Sequence, residues 1–165
     1  MAILASASTA LAATDPDWAL VASPSSLTVG VATNVGLKAT NTSSTNGDRF
    51  SCLKIVLPAE ITVSSTSVTS PSGWSASSSG SGPTTVTIRS TSGRIDEGKQ
   101  LAFTIRVAAE QAGTSSWVAN VYQNGWGSCS NHRNGSITLS IGATSPPPPP
   151  TPPPGWAWRW ACASR

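Results

Sequence analysis

Apolar and polar residues alternate along most of the chain, and the clearest run spans residues 101–107. Four large apolar side chains occupy every second position there: Leu101, Phe103, Ile105 and Val107. A period of two is that of a β-strand with one buried face and one wetter face. The alternation resumes at residues 117–121, after a Gly/Ser-rich turn at residues 112–116. The two runs are therefore predicted to form a central β-hairpin.

Shorter runs with the same period precede and follow this pair. They cover residues 18–21, 26–29, 31–41, 50–57, 61–63, 84–89 and 136–141. Turn-forming Gly, Pro, Asn and Ser separate them, and no segment shows a sustained helical period. Residues 70–83 are almost entirely Ser, Gly and Pro around Trp74 and are predicted to be a loop. The pattern predicts an all-β, antiparallel, immunoglobulin-like β-sandwich of about seven to eight strands.

The composition agrees with many short strands joined by small polar turns. Charged residues make up only 10% of the 165 residues, well below the usual share, and the length allows one domain of ordinary size. The net charge of +3 is spread along the chain without a basic run. We therefore expect no nucleic-acid partner. No segment approaches the ~18 apolar residues of a transmembrane helix.

The first residues have the character of an export signal. Residues 1–13 are small and apolar, and Ala10-Leu11-Ala12 fits the pattern before a signal-peptidase site. No Lys or Arg precedes the apolar run, so we interpret the segment as a truncated signal peptide in which Met1 is an internal start. The alternative is a disordered Ala-rich terminus. The sandwich is then predicted to span residues 14–143 and to be extracellular or at the cell surface.

The composition changes abruptly after Gly142. Residues 144–154 are proline-rich and are predicted to form an extended linker of about 3.1 Å per residue. Residues 155–165 carry tryptophans at positions 156, 158 and 160. So short a segment cannot bury that aromatic face by itself. We predict a disordered Trp-rich tail and prefer a truncated or frame-shifted longer chain over a strand face or membrane-interface patch.

The three cysteines are Cys52, Cys129 and Cys162. They permit three single pairings, and Cys162 lies beyond the proline linker, so Cys52 with Cys129 is the natural disulfide. Neither has a second Cys at ligand spacing, which weakens the alternatives of metal ligands or free buried thiols. Closing a loop of that length is worth ~4 kcal/mol in the chain-entropy model. Such a bond suits an oxidising compartment.

The order of several features gives a first resemblance to a known family. They are a Gly-Trp pair at residues 73–74, a strand at 86–88, a Gly-bounded turn at 93–98, Phe103, Gly113 and residues 121–125. In this order they resemble the YcnI-like family of exported immunoglobulin-like domains, and residues 24–43 are similar to the opening of bacterial surface immunoglobulin-like modules. The resemblance implies a fold. The family's copper role uses an N-terminal histidine, whereas the only histidine here is His132, so that role is not carried over.

A second resemblance concerns sugar binding. The Ser/Thr-rich sandwich, the disulfide and the Pro/Thr stalk are similar to cellulose-binding modules of secreted glycosidases, which stack flat tryptophans on sugar rings. The candidate ligand-binding residues are Trp74, Tyr122 and Trp126, and both tryptophans are predicted to be exposed. The alternative is that each ring covers a gap at one end of the sandwich. Trp117 shares the parity of the apolar strand residues and is assigned to the core.

The sequence evidence for a catalytic site is weaker than that for a binding site. Asp96 and Glu97 are adjacent in one turn, whereas glycosidase carboxylates face each other across ~5 to 10 Å. His132 with Ser130 and Asp48 lacks a nucleophile elbow. We therefore predict no catalytic residues, no cofactor and no metal.

Two tripeptides match the glycosylation acceptor pattern, and they begin at Asn41 and Asn134. The whole sequence favours a non-enzymatic secreted or cell-surface module that acts in adhesion or as a spacer and binds a protein or a polysaccharide. The alternative is a carbohydrate-binding module of a secreted hydrolase.

Overall fold

A computed structural model describes residues 13–15, 17–45, 48–123, 129–130 and 135–151. This part of the chain contains eleven β-strands and no helix. The strands are β1 (Ala13–Asp15), β2 (Trp18–Ser23), β3 (Ser26–Thr28), β4 (Thr33–Asn41), β5 (Cys52–Leu57), β6 (Ile61–Ser70), β7 (Trp74–Ser79), β8 (Thr84–Ser90), β9 (Gln100–Ala109), β10 (Gly113–Tyr122) and β11 (Ile137–Thr144). The predicted all-β class is confirmed.

The strands form two packed sheets, as in an immunoglobulin-like sandwich. The five-stranded sheet has the order β1-β2-β4-β9-β6, and the six-stranded sheet has the order β3-β11-β10-β5-β8-β7. Neighbouring strands are antiparallel except β3 and β11, which are parallel. The antiparallel sandwich that the sequence predicted is thus present, with one parallel edge.

The predicted central hairpin is wrong. β9 pairs with β4 and β6 in the five-stranded sheet, whereas β10 pairs with β5 and β11 in the six-stranded sheet. The turn between Ala109 and Gly113 carries the chain from one sheet to the other. Alternation shows that a strand buries one face, and two strands that face each other across the core show the same alternation as two neighbours in a sheet.

The segment predicted as a Ser/Gly/Pro loop contains a strand. β7 pairs with β8 from Trp74 opposite Ser90 to Ser79 opposite Thr85. It is an edge strand of a six-stranded sheet, and its serines are exposed. An edge strand with few buried side chains gives no hydrophobic alternation, which is why the sequence pattern missed it. The eleven strands of the described part exceed the predicted seven to eight, and β1 and β7 are the two that no apolar run indicated.

The inner faces of both sheets supply one continuous core. Its largest side chains are Trp18, Trp117, Phe50, Phe103, Leu20, Leu53, Ile55, Leu57, Ile88, Ile95, Leu101 and Ile105. Trp117 is fully buried, which confirms its assignment to the core, and its indole Nε1 donates a hydrogen bond of 3.2 Å to Ser115 Oγ. A buried indole needs such a partner for its N–H.

The Cys52–Cys129 disulfide is present and confirms the predicted pairing. The two Cα atoms are 5.4 Å apart and the residues are separated by 77 positions. Cys52 is the first residue of β5 and shares the outward parity of Lys54, yet it is fully buried. The bond therefore fastens the segment before β11 to the outer side of the six-stranded sheet.

The ends of the chain lie largely outside the described residues. β1 begins at Ala13 and pairs with β2, and β11 ends at Thr144. The described part leaves out residues 1–12 of the predicted signal peptide, residues 152–154 of the predicted linker, the whole predicted tail (155–165), Trp126 and His132. The predicted domain boundaries remain predictions. The described residues include no helix that could span a lipid bilayer.

Candidate interaction surfaces

Trp74 closes one end of the core. It is the first residue of β7, lies opposite the buried Ser90 and is half-buried. Its ring meets the Phe50 ring edge-on, with centroids 6.4 Å apart and an interplanar angle of 76°. Phe50 is fully buried and forms a bridge with Ile95. This placement differs from the exposed loop position predicted for Trp74 and fits the alternative in which the ring covers a gap. Its role in ligand binding stays a prediction.

Tyr122 lies on the outer face of the six-stranded sheet. It is the last residue of β10 and pairs with Cys52. The Lys54 ammonium stands over its ring, 4.9 Å from the centroid, and donates a 3.5 Å hydrogen bond to the carbonyl oxygen of Cys129. A cation in this position is attracted by the π face of the ring. A sugar stacking on that face would have to displace Lys54.

The two described candidate rings do not form a row. Trp74 belongs to the inward parity of β7, and Tyr122 belongs to the outward parity of β10. They therefore lie on opposite faces of one sheet. Trp126 is outside the described residues. Trp74 and Tyr122 therefore cannot together form a flat row of rings on one face.

The outer face of the six-stranded sheet is rich in hydroxyl groups. Ser and Thr side chains face outward on two strand pairs, β7–β8 and β10–β11, which are separated by β5: Ser75, Ser77, Ser79, Thr85, Thr87, Ser116, Thr138 and Ser140. Val118 lies opposite Val56 near the middle of this face. Sequence reasoning missed the face because its hydroxyl groups come from separate segments and meet only through the strand register.

The outer face of the five-stranded sheet contains a shallow depression of about 430 Å³. It crosses β2, β4, β9 and β6 and is lined by residues that include Val21, Ser23, Gly36, Lys38, Ala102 and Thr104. The register places Gly36 between Ser23 and Thr104, and Lys38 between Val21 and Ala102. Its lining includes Gly36, which has no side chain, and Ala102, whose side chain is a single methyl group. No feature of the sequence pattern alone pointed to this place.

Asn41 is a structural residue. It is fully buried, and its Nδ2 donates to the carbonyl oxygens of Asp48 at 2.7 Å and Ile95 at 3.1 Å. Its Oδ1 accepts from the backbone N–H of Ser43 at 3.1 Å. A buried amide with all these bonds cannot receive a glycan in the folded domain. The acceptor match at Asn41 is therefore not a modification site here, and Asn134 is outside the described residues.

Two residues considered for catalysis, Asp48 and Asp96, interact with neighbouring side chains. The Asp48 carboxylate accepts hydrogen bonds from Ser43 Oγ at 2.8 Å and from Gln123 Nε2 at 3.2 Å. Asp96 is exposed and forms a 4.0 Å ion pair with Arg49. Within the described part of the chain, no group of three or more His, Cys, Asp or Glu side chains could hold a metal ion.

Comparison with known proteins shows the fold. No protein-family model and no curated protein matches the chain. A cohesin module from a Clostridium perfringens family 33 glycoside hydrolase superimposes with a TM-score of 0.54 at 13% identity, covering 84% of this chain and 100% of that one. The two proteins share a β-sandwich architecture.

Two further solved structures have lower scores. One is an uncharacterized protein from Nocardia farcinica described as having an immunoglobulin-like fold, with a TM-score of 0.46 and 18% identity over 70% of this chain and 92% of that one. The other is AvmM, described as catalysing macrocyclization in alchivemycin A biosynthesis, with a TM-score of 0.44 and 13% identity over 84% of this chain and 93% of that one.

Proposed function

We propose that this chain is a non-enzymatic immunoglobulin-like module that is secreted or held at a cell surface and acts in adhesion or as a spacer. The observation that carries the proposal is the contrast between the inner and outer faces of the two sheets. The inner faces hold the whole apolar core, while in the described residues both sheets present broad outer faces to solvent. The function of such a scaffold depends on specific sites on its surface and not on the fold itself.

The disulfide supports export. It closes a loop of 77 residues between a buried Cys52 and Cys129. Disulfides of this kind form and persist in oxidising environments and are rare in the cytosol. The A-x-A pattern that ends at Ala12 agrees with an exported protein. Membership of the YcnI-like family remains part of this proposal.

The polar residues support a role without catalysis. Asn41, Ser43 and Asp48 are tied to one another and to backbone groups at one end of the sandwich. Groups engaged in this way stabilise a loop and are not poised for proton transfer. The cohesin module with the same fold is, by its description, one part of a larger glycoside hydrolase. This chain would similarly serve as one module of a larger secreted protein.

The alternative function is carbohydrate binding in a secreted hydrolase. It is favoured by Tyr122 and the hydroxyl-rich outer face of the six-stranded sheet, since polysaccharides bind through stacked rings and hydroxyl hydrogen bonds. Trp126 would have to complete the aromatic patch. Lys54, which already stands over the Tyr122 ring, argues against an open stacking platform.

Pull-down on insoluble polysaccharides separates the two functions. The wild-type chain, the Trp74→Ala/Trp126→Ala double variant and Tyr122→Ala are compared, with Val21→Ala on the other sheet as a matched control. Circular dichroism checks that each variant is folded, because Trp74 packs against Phe50. The proposal expects no specific retention of any of them. Retention that is lost in the aromatic variants and kept in Val21→Ala would establish the carbohydrate-binding alternative.

A further inference from the structure

Gly36 occupies a place where the fold does not need a glycine. It lies in the interior of β4, and the register of β4 with both neighbours, β2 and β9, is continuous. Its φ is outside the left-handed region, and a Cβ built on it would meet only the carbonyl oxygen of Ser23, at an ordinary 3.6 Å. Glycine weakens the interior of a strand. Where neither a bulge nor a special φ accounts for it, a glycine inside a strand often marks a site that another backbone or a ligand approaches closely.

The surface above Gly36 has the shape for such an approach. Gly36 and Ala102 both line the 430 Å³ depression on the outer face of the five-stranded sheet, and neither has a side chain larger than a methyl group. Val21 stands beside it with 39% of its surface exposed, which is unusual among the large apolar residues described. A partner that placed backbone and small side chains in the depression would bury Val21 and Ala102.

The charges around the depression indicate the chemistry of the partner. The described outer-face side chains of β2, β4, β6 and β9 include two cations, Lys38 and Arg106, and no carboxylate. Lys38 lines the depression, and its side-chain ammonium has no hydrogen bond or ion pair to any described residue. Among the described residues, the Arg106 guanidinium contacts Asn34 Oδ1, at 3.5 Å from Nη1. A partner with negatively charged side chains would be complementary to these two cations, and this complementarity would make its binding to the face specific.

We propose that the depression around Gly36 is a docking site for an acidic polypeptide segment of a partner protein. The segment's backbone lies over Gly36 and Ala102, a small apolar side chain contacts Val21, and its carboxylates meet Lys38 and Arg106. This inference rests on the proposed function as an interaction module and specifies the partner of that module. The outer face of the six-stranded sheet takes no part in it.

The test uses the ¹⁵N-labelled full chain and two synthetic peptides. One peptide alternates Glu and Ala, and the other has Gln in place of every Glu. We expect the acidic peptide to bind with a Kd below about 1 mM, as a weak site would bind a generic probe. On titration, it should shift the amide resonances of Gly36, Lys38, Ala102 and Thr104 to saturation. The Gln peptide is expected to bind at least about tenfold more weakly.

Matched variants localise the effect. Gly36→Val adds a side chain to the lining of the depression. It should weaken binding about tenfold or more without lowering the melting temperature. Gly142→Val is its control, because Gly142 is a β11 residue outside the left-handed region whose added Cβ would meet only the Ser25 carbonyl oxygen, at 3.9 Å. The Lys38→Gln/Arg106→Gln double variant should lose binding too, whereas Arg89→Gln on the six-stranded sheet should retain it. The double variant decides the matter should Gly36→Val fail to fold.

Several results would overturn the inference. They are the absence of saturable shifts at that concentration, shifts confined to the six-stranded sheet, equal binding by Gly36→Val and Gly142→Val, and stronger binding of polygalacturonate, an anionic polysaccharide, than of the peptide. None of them bears on polysaccharide retention through Tyr122 and Trp126. The inference and the proposed function can therefore fail separately.

Discussion

The two outer faces of the sandwich differ far more than its two inner faces. The inner faces are built from the same kinds of aliphatic and aromatic side chains and meet in one core. The outer face of the six-stranded sheet carries hydroxyl groups on two strand pairs, Tyr122 under Lys54, and the disulfide. The outer face of the five-stranded sheet carries the depression over Gly36 and two cations. Residues with little effect on the core thus distinguish the two faces chemically.

The largest effect is expected from the disulfide, which reinforces only one of these faces. Replacing Cys52 and Cys129 by Ser should lower the free energy of unfolding by about 4 kcal/mol, because the unfolded chain regains the freedom of a long loop. Urea denaturation of the oxidised wild type and the double variant measures the difference. Peptide mapping without reductant that finds both thiols free in periplasmically expressed protein would contradict the assignment.

The two aromatic residues on opposite faces of the six-stranded sheet give the next largest difference. Trp74→Ala should cost about 2 kcal/mol, since the ring is half-buried against Phe50 and full burial is worth more. Tyr122→Ala should cost less than about 1 kcal/mol, because it removes a partly exposed ring and one cation contact. Thermal unfolding followed by circular dichroism compares them. A larger loss for Tyr122→Ala would mean that the outer face is structural.

Much of the inner side of the molecule follows from sequence. The period of two in residues 101–107 predicted a strand whose apolar side chains are buried, and Trp117 and the Cys52–Cys129 pair were placed correctly. The crossing from β9 to β10 was not predictable, because alternation does not identify the neighbouring strand. β7 was missed because a serine-rich edge strand buries little.

The candidate surfaces were less accessible to sequence reasoning than the core. The depression combines residues from four strands, and Gly36 and Ala102 come together only through the register of β4 with β9. Nothing in the local sequence around either residue indicates this. The Trp74 loop prediction failed for a related reason, since its ring is positioned by pairing with β8 and by Phe50.

The glycine in the five-stranded sheet provides a smaller but more specific contrast. Gly36→Val should raise the free energy of unfolding by up to about 1 kcal/mol, because the fold has room for a side chain and glycine loses more entropy on folding. Urea denaturation beside Gly142→Val measures it. A loss of stability in Gly36→Val alone would show that the glycine serves the fold, and the reason given for a docking site at this position would disappear.

The smallest effect is expected from the region beyond both faces. β11 ends at Thr144, whose carbonyl oxygen accepts a 2.9 Å hydrogen bond from the backbone N–H of Val29. A chain ending at Ser145 should therefore keep its stability within about 0.5 kcal/mol. Differential scanning calorimetry compares it with the full chain. Destabilisation by several kcal/mol would mean that the tryptophans at positions 156, 158 and 160 pack on the sandwich.

The proposal that one outer face binds a segment of a partner protein is tested most directly by mapping ligand-induced amide shifts over both sheets in one sample. With the acidic peptide, we expect shifts concentrated in β4 and β9 around Gly36 and Ala102, and unchanged resonances on the outer face of β5, β8 and β10. Shifts around Tyr122 on addition of soluble oligosaccharides, with none around Gly36 on addition of the peptide, would contradict the proposal.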